Sequence, residues 1–427
     1  MHARTDTPSV YWPGRFFIVW TGQQMSLFGS SLAQFALVWW VTKTTGSAAV
    51  LTTSAAAALL PGIVLGPFIG TLVDRIDRRK ILIAADGFVA LVAVWVVYLF
   101  WSGSIQVWHI YLILLARGVG GRFHHAAMLS TTPLMVPKNQ LQRVSGYSQT
   151  VSGMIDILSP ALGALMIAVM PLYGVMAVDV LTAAFAIGPL LFLALPNPPR
   201  TVSTARDGSA RGAFWRDTRA GLRYLVEQRG LGILWGIAMA LNFLCGPAFF
   251  LTPILVMKVY KGGVEELGLA HVLIGIGAVL GGAILSLWPG FKRRGRPWRV
   301  ATLLAAVIGV GFGFIIVAFA PQNSFAVALG GLFLVAMIST ISGGLFPVMI
   351  QTIVPPEMQG RIFSIFSTLT SAALTMGMLA AGPLADWTGA RVIYFAGGLS
   401  QVLIGAAGFA IPALVGVEEE LQPAAAI

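Results

Sequence analysis

Long apolar segments recur along the whole chain, and each is long enough to cross a lipid bilayer. A membrane helix needs roughly 20 apolar residues, and about twelve segments meet that requirement. We number them spans 1 to 12, and their approximate extents are 16–41, 47–73, 81–102, 107–130, 141–170, 174–195, 230–257, 267–290, 300–320, 325–351, 360–385 and 391–415. This pattern predicts an all-α membrane protein with twelve transmembrane helices.

The composition agrees with a chain that lies mostly in lipid. Of the 427 residues, 57% are hydrophobic and 10% are charged, which is too little charge to cover a water-soluble surface. The 49 glycines and 12 tryptophans are typical of membrane helices and their interfaces. A single cysteine, Cys245, excludes an intrachain disulfide and any cysteine-based metal cluster.

The basic residues are distributed unequally between the two sides of the predicted membrane. If the N-terminus is cytoplasmic, most of the 27 Lys and Arg residues fall in cytoplasmic segments. The outer segments hold only Lys43, Lys258, Lys261 and Arg391. The positive-inside rule therefore predicts that both termini are cytoplasmic. It also explains the net charge of +11 as a topology signal beside anionic lipid, so we expect no nucleic-acid partner.

The longest polar stretch divides the chain into two parts. We predict a cytoplasmic linker over 196–229 that ends in an amphipathic helix lying at the membrane interface. On either side we predict an N-terminal six-helix bundle (1–195) and a C-terminal six-helix bundle with a short acidic cytoplasmic tail (230–427).

The two predicted bundles share a local sequence pattern. Val136-Pro137 is followed by Arg143, and Val354-Pro355 is followed by Arg361, with the same spacing and at the same place in each half. This repetition indicates an internal duplication, which is typical of secondary transporters.

The loop after span 2 reads GTLVDRIDRRK (70–80). It resembles the major facilitator superfamily, whose loop at this place carries the pattern G-x-L-x-D-R-x-G-R-R/K-K. The matching residues are Gly70, Leu72, Asp74, Arg75, Arg78, Arg79 and Lys80, while Asp77 stands where the family usually has glycine. The bland alternative is a positive-inside cluster, which would explain the basic residues but neither Gly70 nor Asp74.

The resemblance implies a conformational lock built from Gly70, Asp74, Arg75, Arg78 and Arg79. Glycine permits close helix approach, and a carboxylate is stabilised by the N-terminus of a neighbouring helix. In the family this neighbour is span 11, and the contact holds the cytoplasmic side closed. The corresponding loop of the second half, 281–296, has lost the carboxylate, so such a lock would be one-sided.

Three further segments resemble the branch of the superfamily that contains macrolide-efflux proteins and the enterobactin exporter. They are WTGQQMSLFGSSLAQFALVWWVTKTTGSA (20–48), PPEMQGRIFS (355–364) and AGPLADWTGAR (381–391). The resemblance implies two pseudo-symmetric six-helix bundles, a monomer and a place in the bacterial cytoplasmic (inner) membrane. No Gly-Lys dipeptide occurs, so a Walker A loop is excluded and we expect no cofactor, with a proton gradient as the energy source.

Span 4 carries charge inside the predicted membrane. Arg117 lies ten residues after Val107, about 15 Å along a helix and near the middle of a bilayer core of about 30 Å. Together with Gly120 and Gly121 it resembles the superfamily's R-x-x-x-G pattern, which is linked to proton coupling. Arg122, His124 and His125 lie nearer the cytoplasm, where such side chains can reach the interface.

A buried guanidinium needs a partner, and three carboxylates lie within spans: Asp86, Asp156 and Asp179. Counting residues along the helices places Asp156 nearest the depth of Arg117, so we predict an Arg117–Asp156 pair. A contact that alternates between two states would change the proton affinity of Asp156. Asp86 is the other proton-coupling candidate, and a purely structural role for Asp86 and Asp179 stays open.

Spans 1 and 7 supply candidates for the wall of a substrate cavity. They are Gln23, Gln24, Ser31, Gln34, Met239, Asn242, Phe243 and Phe249. An apolar, aromatic wall with a few polar groups suits a bulky amphipathic solute. Packing or contact with lipid is the alternative for each aromatic residue.

Taken together, these features predict alternating-access export of an amphipathic small molecule (drug, macrolide or siderophore-like) coupled to protons. A lipid or lysophospholipid flippase of the same superfamily is the alternative transporter, and a non-transporting receptor or scaffold is the alternative from another class. We expect no enzyme and no metal site. His124 and His125 point about 100° apart on a helix, which makes a poor chelate.

Overall fold

A computed structural model describes residues 12–73, 76–193, 223, 228–288, 290–293, 296–354 and 356–415. The first half of the chain forms long helices joined by short turns. They are α1 (Trp12–Thr45), α2 (Ala48–Val73), α3 (Arg78–Trp101), α4 (Val107–Met135), α5 (Leu141–Val169) and α6 (Leu172–Phe192). One turn of 3₁₀ helix, Lys138–Gln140, leads into α5.

The second half repeats this arrangement with one interrupted helix. It contains α7 (Arg229–Leu244), α8 (Gly246–Phe250), α9 (Thr252–Ile254), α10 (Val264–Leu287), α11 (Arg299–Phe319), α12 (Phe325–Ile353), α13 (Pro356–Thr388), α14 (Ala390–Phe409) and α15 (Pro412–Val415). Two short strands, β1 (Lys292–Arg293) and β2 (Arg296–Pro297), pair antiparallel between α10 and α11.

Eleven helical stretches in the described residues are long and apolar enough to cross a membrane. This result confirms the predicted all-α membrane fold. The helix α4 is equally long but stands outside that set, because two arginines and three histidines lower its apolarity.

Contacts between residues divide the chain into two compact units. Unit 1 comprises Met1–Val41 and Ala57–Asp207, and unit 2 comprises Thr42–Ala56 and Gly208–Ile427. The turn between α1 and α2 and the first residues of α2 therefore belong with the second unit. Most of the predicted linker lies outside the described residues.

Glycines let α4 approach its neighbours closely within unit 1. A β-carbon at Gly118 would lie 2.5 Å from the carbonyl oxygen of Ala58 in α2. One at Gly120 would lie 2.5 Å from the side chain of Val89 in α3. Helices in membranes associate through such small-residue contacts, so these two glycines set the position of α4 and of the charges it carries.

In unit 2, α11 and α14 cross at a pair of glycines. A β-carbon at Gly311 would lie 2.6 Å from the carbonyl oxygen of Gly398, and one at Gly398 would lie 2.6 Å from the carbonyl oxygen of Gly311. The two backbones are therefore in direct contact, and no side chain fits between them.

The seventh span is broken where a continuous helix over 230–257 was expected. The helix α7 ends at Leu244, and Pro247 and Pro253 stand at the first positions of the short helices α8 and α9. Proline has no backbone N–H and its ring crowds the preceding turn, which explains the break. A π-helical turn, Leu255–Val259, follows directly.

The carboxylate of Asp386, near the end of α13, caps the start of α2 within unit 2. It accepts hydrogen bonds from the Ser47 hydroxyl (2.6 Å), the Ala48 backbone N–H (2.7 Å) and the Ala49 backbone N–H (3.0 Å). These are the unpaired N–H groups at the start of a helix, where a negative charge is stabilising.

Replacing Asp386 by Ala is therefore expected to lower the free energy of unfolding by about 1–2 kcal/mol, the usual cost of removing a helix cap. Lys258→Ala is the matched control, since Lys258 Nζ lies 4.0 Å from Asp386 and half of its side chain is exposed, a pair that contributes little. Thermal unfolding in detergent micelles measures both. An equal loss in the two variants would show that the ion pair, not the cap, stabilises this corner.

Candidate functional site

A buried ion pair joins α4 to α6 in unit 1, and a side chain of α1 completes it. Arg117 Nη1 donates a hydrogen bond to Asp179 Oδ2, and Arg117 Nη2 donates to the Ser30 carbonyl oxygen (3.1 Å). The Ser30 hydroxyl donates to the other carboxylate oxygen, Asp179 Oδ1, at 2.8 Å. The side chains of Arg117 and Asp179 are 10% and 2% exposed. We call Ser30, Arg117 and Asp179 the Arg117 cluster.

The predicted Arg117–Asp156 pair is wrong. Asp156 is exposed on α5, whereas its neighbours Ile155 and Ser159 define the buried face of that helix. Depth along the membrane normal is one coordinate, and the direction in which a side chain points around its helix is another. Counting residues along the chain gives the depth of a side chain in the membrane, but it does not give the direction in which the side chain points.

A second buried cluster joins α1, α3 and α4. Gln23 Nε2 donates to Asp86 Oδ2 (2.9 Å), and His124 Nε2 lies 2.5 Å from Gln23 Oε1 and 3.7 Å from Asp86 Oδ1. Gln23 is 1% exposed and Asp86 is 7% exposed. We call Gln23, Asp86 and His124 the His124 cluster.

The two clusters share the same two helices. On α1, Gln23 and Ser30 are seven residues apart, and on α4, Arg117 and His124 are also seven residues apart. Seven residues are two helical turns, about 10.5 Å, and return to the same face. The clusters therefore lie one above the other along the α1–α4 contact. This double heptad spacing is the sequence signal that would have placed His124 beside Gln23 instead of at the interface.

The residues of the predicted lock are only partly described. Asp74 and Arg75 lie outside the described residues, and Gly70 lies in the last turn of α2. Arg79 donates to the carbonyl oxygens of Leu190 and Leu191 (both 2.6 Å) at the end of α6, where a cation is favoured. Arg78 is buried. The lock itself stays a prediction.

Asp77 stands where the family usually has glycine, and the local backbone explains why it fits. Its φ of −56° is accessible to any residue, so glycine is not required. Its side chain accepts a hydrogen bond from the Arg79 backbone N–H at 2.9 Å and caps the start of α3.

Unit 2 contains an apolar cavity of about 410 Å³. Four polar side chains, from α7, α12 and α14, lie in its wall: Asn242, Ser339, Ser342 and Gln401. The rest of the wall is aliphatic or aromatic, and includes Phe249, Phe346 and Phe366. Its size and its few polar groups are typical of sites for drug-sized molecules.

The structure separates the eight residues predicted to line a cavity. Asn242 and Phe249 line the cavity of unit 2, whereas Met239 is half-buried and Phe243 is exposed. In α1, Gln24, Ser31 and Gln34 are half-buried, and the side-chain carbonyl oxygen of Gln24 has no hydrogen-bond partner among the described residues. Gln23 is fully buried and its amide is bound to Asp86 and His124.

The residues that the structure describes contain no group of three or more His, Cys, Asp or Glu side chains placed to hold a metal ion. Within the Arg117 and His124 clusters the acidic groups lie against basic ones, an arrangement that supports ion pairing and hydrogen bonding.

Comparisons with known proteins agree with this architecture. The chain is 29% identical over 378 residues to macrolide efflux protein A of Streptococcus pyogenes, covering 88% of this chain and 91% of that protein. It is 25% identical over 432 residues to the multidrug efflux pump Tap of Mycobacterium tuberculosis, covering 97% of each. A variant of the nucleoside transporter NupG has the same fold, with a TM-score of 0.70, 12% identity and coverage of 93% of this chain and 99% of that one.

The sequence pattern of the Major Facilitator Superfamily matches residues 19–377, which is most of the chain. That span includes the α2–α3 turn, both buried clusters of unit 1 and most of the wall of the cavity in unit 2. The chain therefore belongs to the Major Facilitator Superfamily and is a membrane transporter.

Proposed function

We propose that this transporter exports amphipathic small molecules by alternating access and that a proton gradient drives the export. The observation that carries the substrate class is the cavity of unit 2, whose wall is apolar and aromatic with four polar side chains. Such a wall favours a bulky apolar body with a few hydrogen-bonding groups, and a sugar site would need more polar side chains. The names of the macrolide and multidrug efflux relatives support the same class.

Proton coupling is supported by the buried acidic and basic groups of unit 1. Charged groups in a membrane-spanning region are costly and are functional by default. Carboxylate and imidazole side chains such as those of Asp86 and His124 are the groups that can exchange a proton here. The distribution of Lys and Arg supports a bacterial cytoplasmic-membrane protein with both termini inside. A monomer is part of the proposal because the family resemblance implies it.

A flux measurement in proteoliposomes tests both parts of the proposal. The probes are labelled erythromycin, a macrolide, and ethidium, a lipophilic cation, each with and without an imposed pH gradient. We expect probe flux opposite to the proton flux and a loss of accumulation when an ionophore collapses the gradient. Probe flux that is the same with and without the pH gradient would contradict proton coupling. If the protein transfers a labelled lysophospholipid but neither probe, the substrate class is a lipid and not an amphipathic drug.

A bulky side chain inside the cavity is expected to block binding without disturbing the fold. Gly343 lines the cavity, and no atom lies within 4 Å of the position that a β-carbon would occupy there. Gly343→Phe is expected to weaken binding of the probe at least about tenfold, or ~1.4 kcal/mol. Gly330→Phe on the same helix is the matched control, because Gly330 is exposed and also has open space. If both variants bind erythromycin with equal affinity, the binding site is not in this cavity.

A further inference from the structure

We propose that the His124 cluster is a proton-binding site in which the amide of Gln23 connects the two titrating groups, Asp86 and His124. The inference deepens the proposed function, because a proton-driven exporter needs such a site. It rests on the geometry of three buried side chains, one from each of α1, α3 and α4.

The hydrogen bonds define one protonation state of the cluster. Gln23 Nε2 donates to Asp86, so Gln23 Oε1 faces His124 as an acceptor. His124 Nε2 must then carry a hydrogen and donate it, and Asp86 is a carboxylate. With a neutral imidazole the cluster has a net charge of −1. In this arrangement each hydrogen-bond donor between the three side chains faces an acceptor.

A second arrangement satisfies the same atoms with one proton more. If Asp86 is a carboxylic acid, its hydroxyl can donate to Gln23 Oε1 once the amide has turned by 180°. Gln23 Nε2 then donates to His124 Nε2, whose own hydrogen has moved to Nδ1. The cluster is now neutral, and the added proton is on Asp86. The turn gives up the long hydrogen bond from Gln23 Nε2 to the Ala186 carbonyl oxygen (3.5 Å), whereas the atoms that join the three side chains keep partners. Because buried polar groups without partners are costly, keeping these hydrogen bonds limits the cost of exchanging a proton.

The same proton can also reside on the histidine. Protonation of His124 at Nδ1 keeps the first hydrogen-bond arrangement and gives an imidazolium beside the carboxylate, again with zero net charge. The two neutral forms have the same net charge and differ in which group holds the proton and in the orientation of the Gln23 amide. Histidine is the side chain that changes charge between about pH 5 and pH 8, which suits a site that must release and regain a proton in each cycle.

Other charged side chains lie on the surrounding helices, and two of the cations among them are bound to other partners. Those on α1, α3, α4, α5 and α6 toward this end of the helices or beside the cluster are Arg15, Arg78, Arg79, Lys80, Arg117, Arg122, His125, Arg143, Asp156 and Asp179. Arg117 is bound to Asp179, and Arg79 is bound to the end of α6. The guanidinium of Arg122 lies against Gly62 of α2. His124 is thus the cationic group close enough to Asp86 to act on it.

The Arg117 cluster does not share this property. A guanidinium stays protonated in proteins, so proton exchange there requires that the ion pair first be broken. The His124 cluster can take up a proton on His124 with the hydrogen bonds between its three side chains unchanged, or on Asp86 with a turn of the Gln23 amide. Along the α1–α4 contact, the structure therefore assigns a permanent ion pair to the Arg117 cluster and a site that binds and releases a proton to the His124 cluster.

Infrared difference spectroscopy tests the assignment without reference to transport. The purified protein in detergent micelles is brought from about pH 8 to about pH 5, the range in which histidine changes charge. We expect the carbonyl stretch of a newly protonated carboxylic acid in the wild type, its loss in Asp86→Asn and a displaced midpoint in His124→Gln. His109→Gln, in the first turn of the same helix α4, is the matched control and should leave the band and its midpoint unchanged.

The site is overturned if the wild type shows neither this band nor the ring band of an imidazolium that His124→Gln removes. It is also overturned if Asp156→Asn loses the carboxylic acid band, which would then belong to α5. Gln23→Leu gives a separate reading if Asp86→Asn does not fold, since it removes the amide between the two groups. In this background His124→Gln should displace the Asp86 midpoint less than it does in the wild type, because only the direct interaction across 3.7 Å remains. If erythromycin flux does not depend on the pH gradient but the carboxylic acid band of Asp86 is observed, the proposed proton-driven export is wrong and the proton-binding site is still supported.

Discussion

Replacing Asp179 by Asn is expected to destabilise unit 1 by about 3–5 kcal/mol, because it leaves the buried guanidinium of Arg117 without a counter-ion. The pair is almost fully enclosed, so water cannot replace the lost carboxylate. Thermal unfolding in detergent micelles, followed by tryptophan fluorescence, measures the loss.

The charge, rather than the volume, of these side chains decides the outcome. The double variant Arg117→Met with Asp179→Leu removes both charges and is expected to recover most of the stability, because an apolar pair carries no desolvation cost. Asp156→Asn is the control and should unfold like the wild type, since Asp156 is exposed on α5. A large loss of stability in Asp156→Asn together with no loss in Asp179→Asn would show that Arg117 pairs with Asp156, as expected from the sequence.

The glycine crossing of α11 and α14 gives the second large effect. Gly311→Ala is expected to cost about 1–3 kcal/mol, because the new methyl group meets the carbonyl oxygen of Gly398 and only a movement of the backbone can relieve it. Cys245 in unit 2 is buried and lines the cavity, so a bulky thiol-reactive dye should label it faster after unfolding, and the rate of labelling reports the loss of stability.

The control for this crossing is a glycine of the same unit with open space around it. Gly330→Ala on α12 meets no atom within 4 Å and should be neutral or stabilising by up to about 1 kcal/mol, as expected from helix propensity. Equal unfolding temperatures for Gly311→Ala and Gly330→Ala would mean that α11 and α14 are not held at the glycine pair.

The positions of the membrane helices could be predicted closely from the sequence. Span 2 was expected at 47–73 and is Ala48–Val73, and span 5 was expected at 141–170 and is Leu141–Val169. Hydrophobic length determines these bounds, and it is a local property of the chain. The break at Cys245 was missed because a proline within an apolar run can either kink or end a helix, and the neighbouring helices decide which.

The candidate site could be predicted only in part. A buried arginine with a carboxylate partner was expected in the first half, and Arg117 with Asp179 forms such a pair, while the proton-coupling role stays a prediction. The partners were wrong or missing because they depend on how each helix is rotated about its axis. That rotation is fixed by close contacts such as Gly118 against Ala58, which no spacing along a single helix reveals.

The low apolarity of α4 has a consequence for how the protein enters the membrane. An isolated helix with a central arginine is disfavoured on insertion by about 2.5–3.5 kcal/mol for that residue alone. The carboxylate that neutralises Arg117 is 62 residues further along the chain. At a synthesis rate of about 5–20 residues per second it emerges from the ribosome about 3–12 s later. We therefore expect α4 to remain beside the translocon until α6 arrives, so that the two helices enter the lipid as a pair and not in the order of their synthesis.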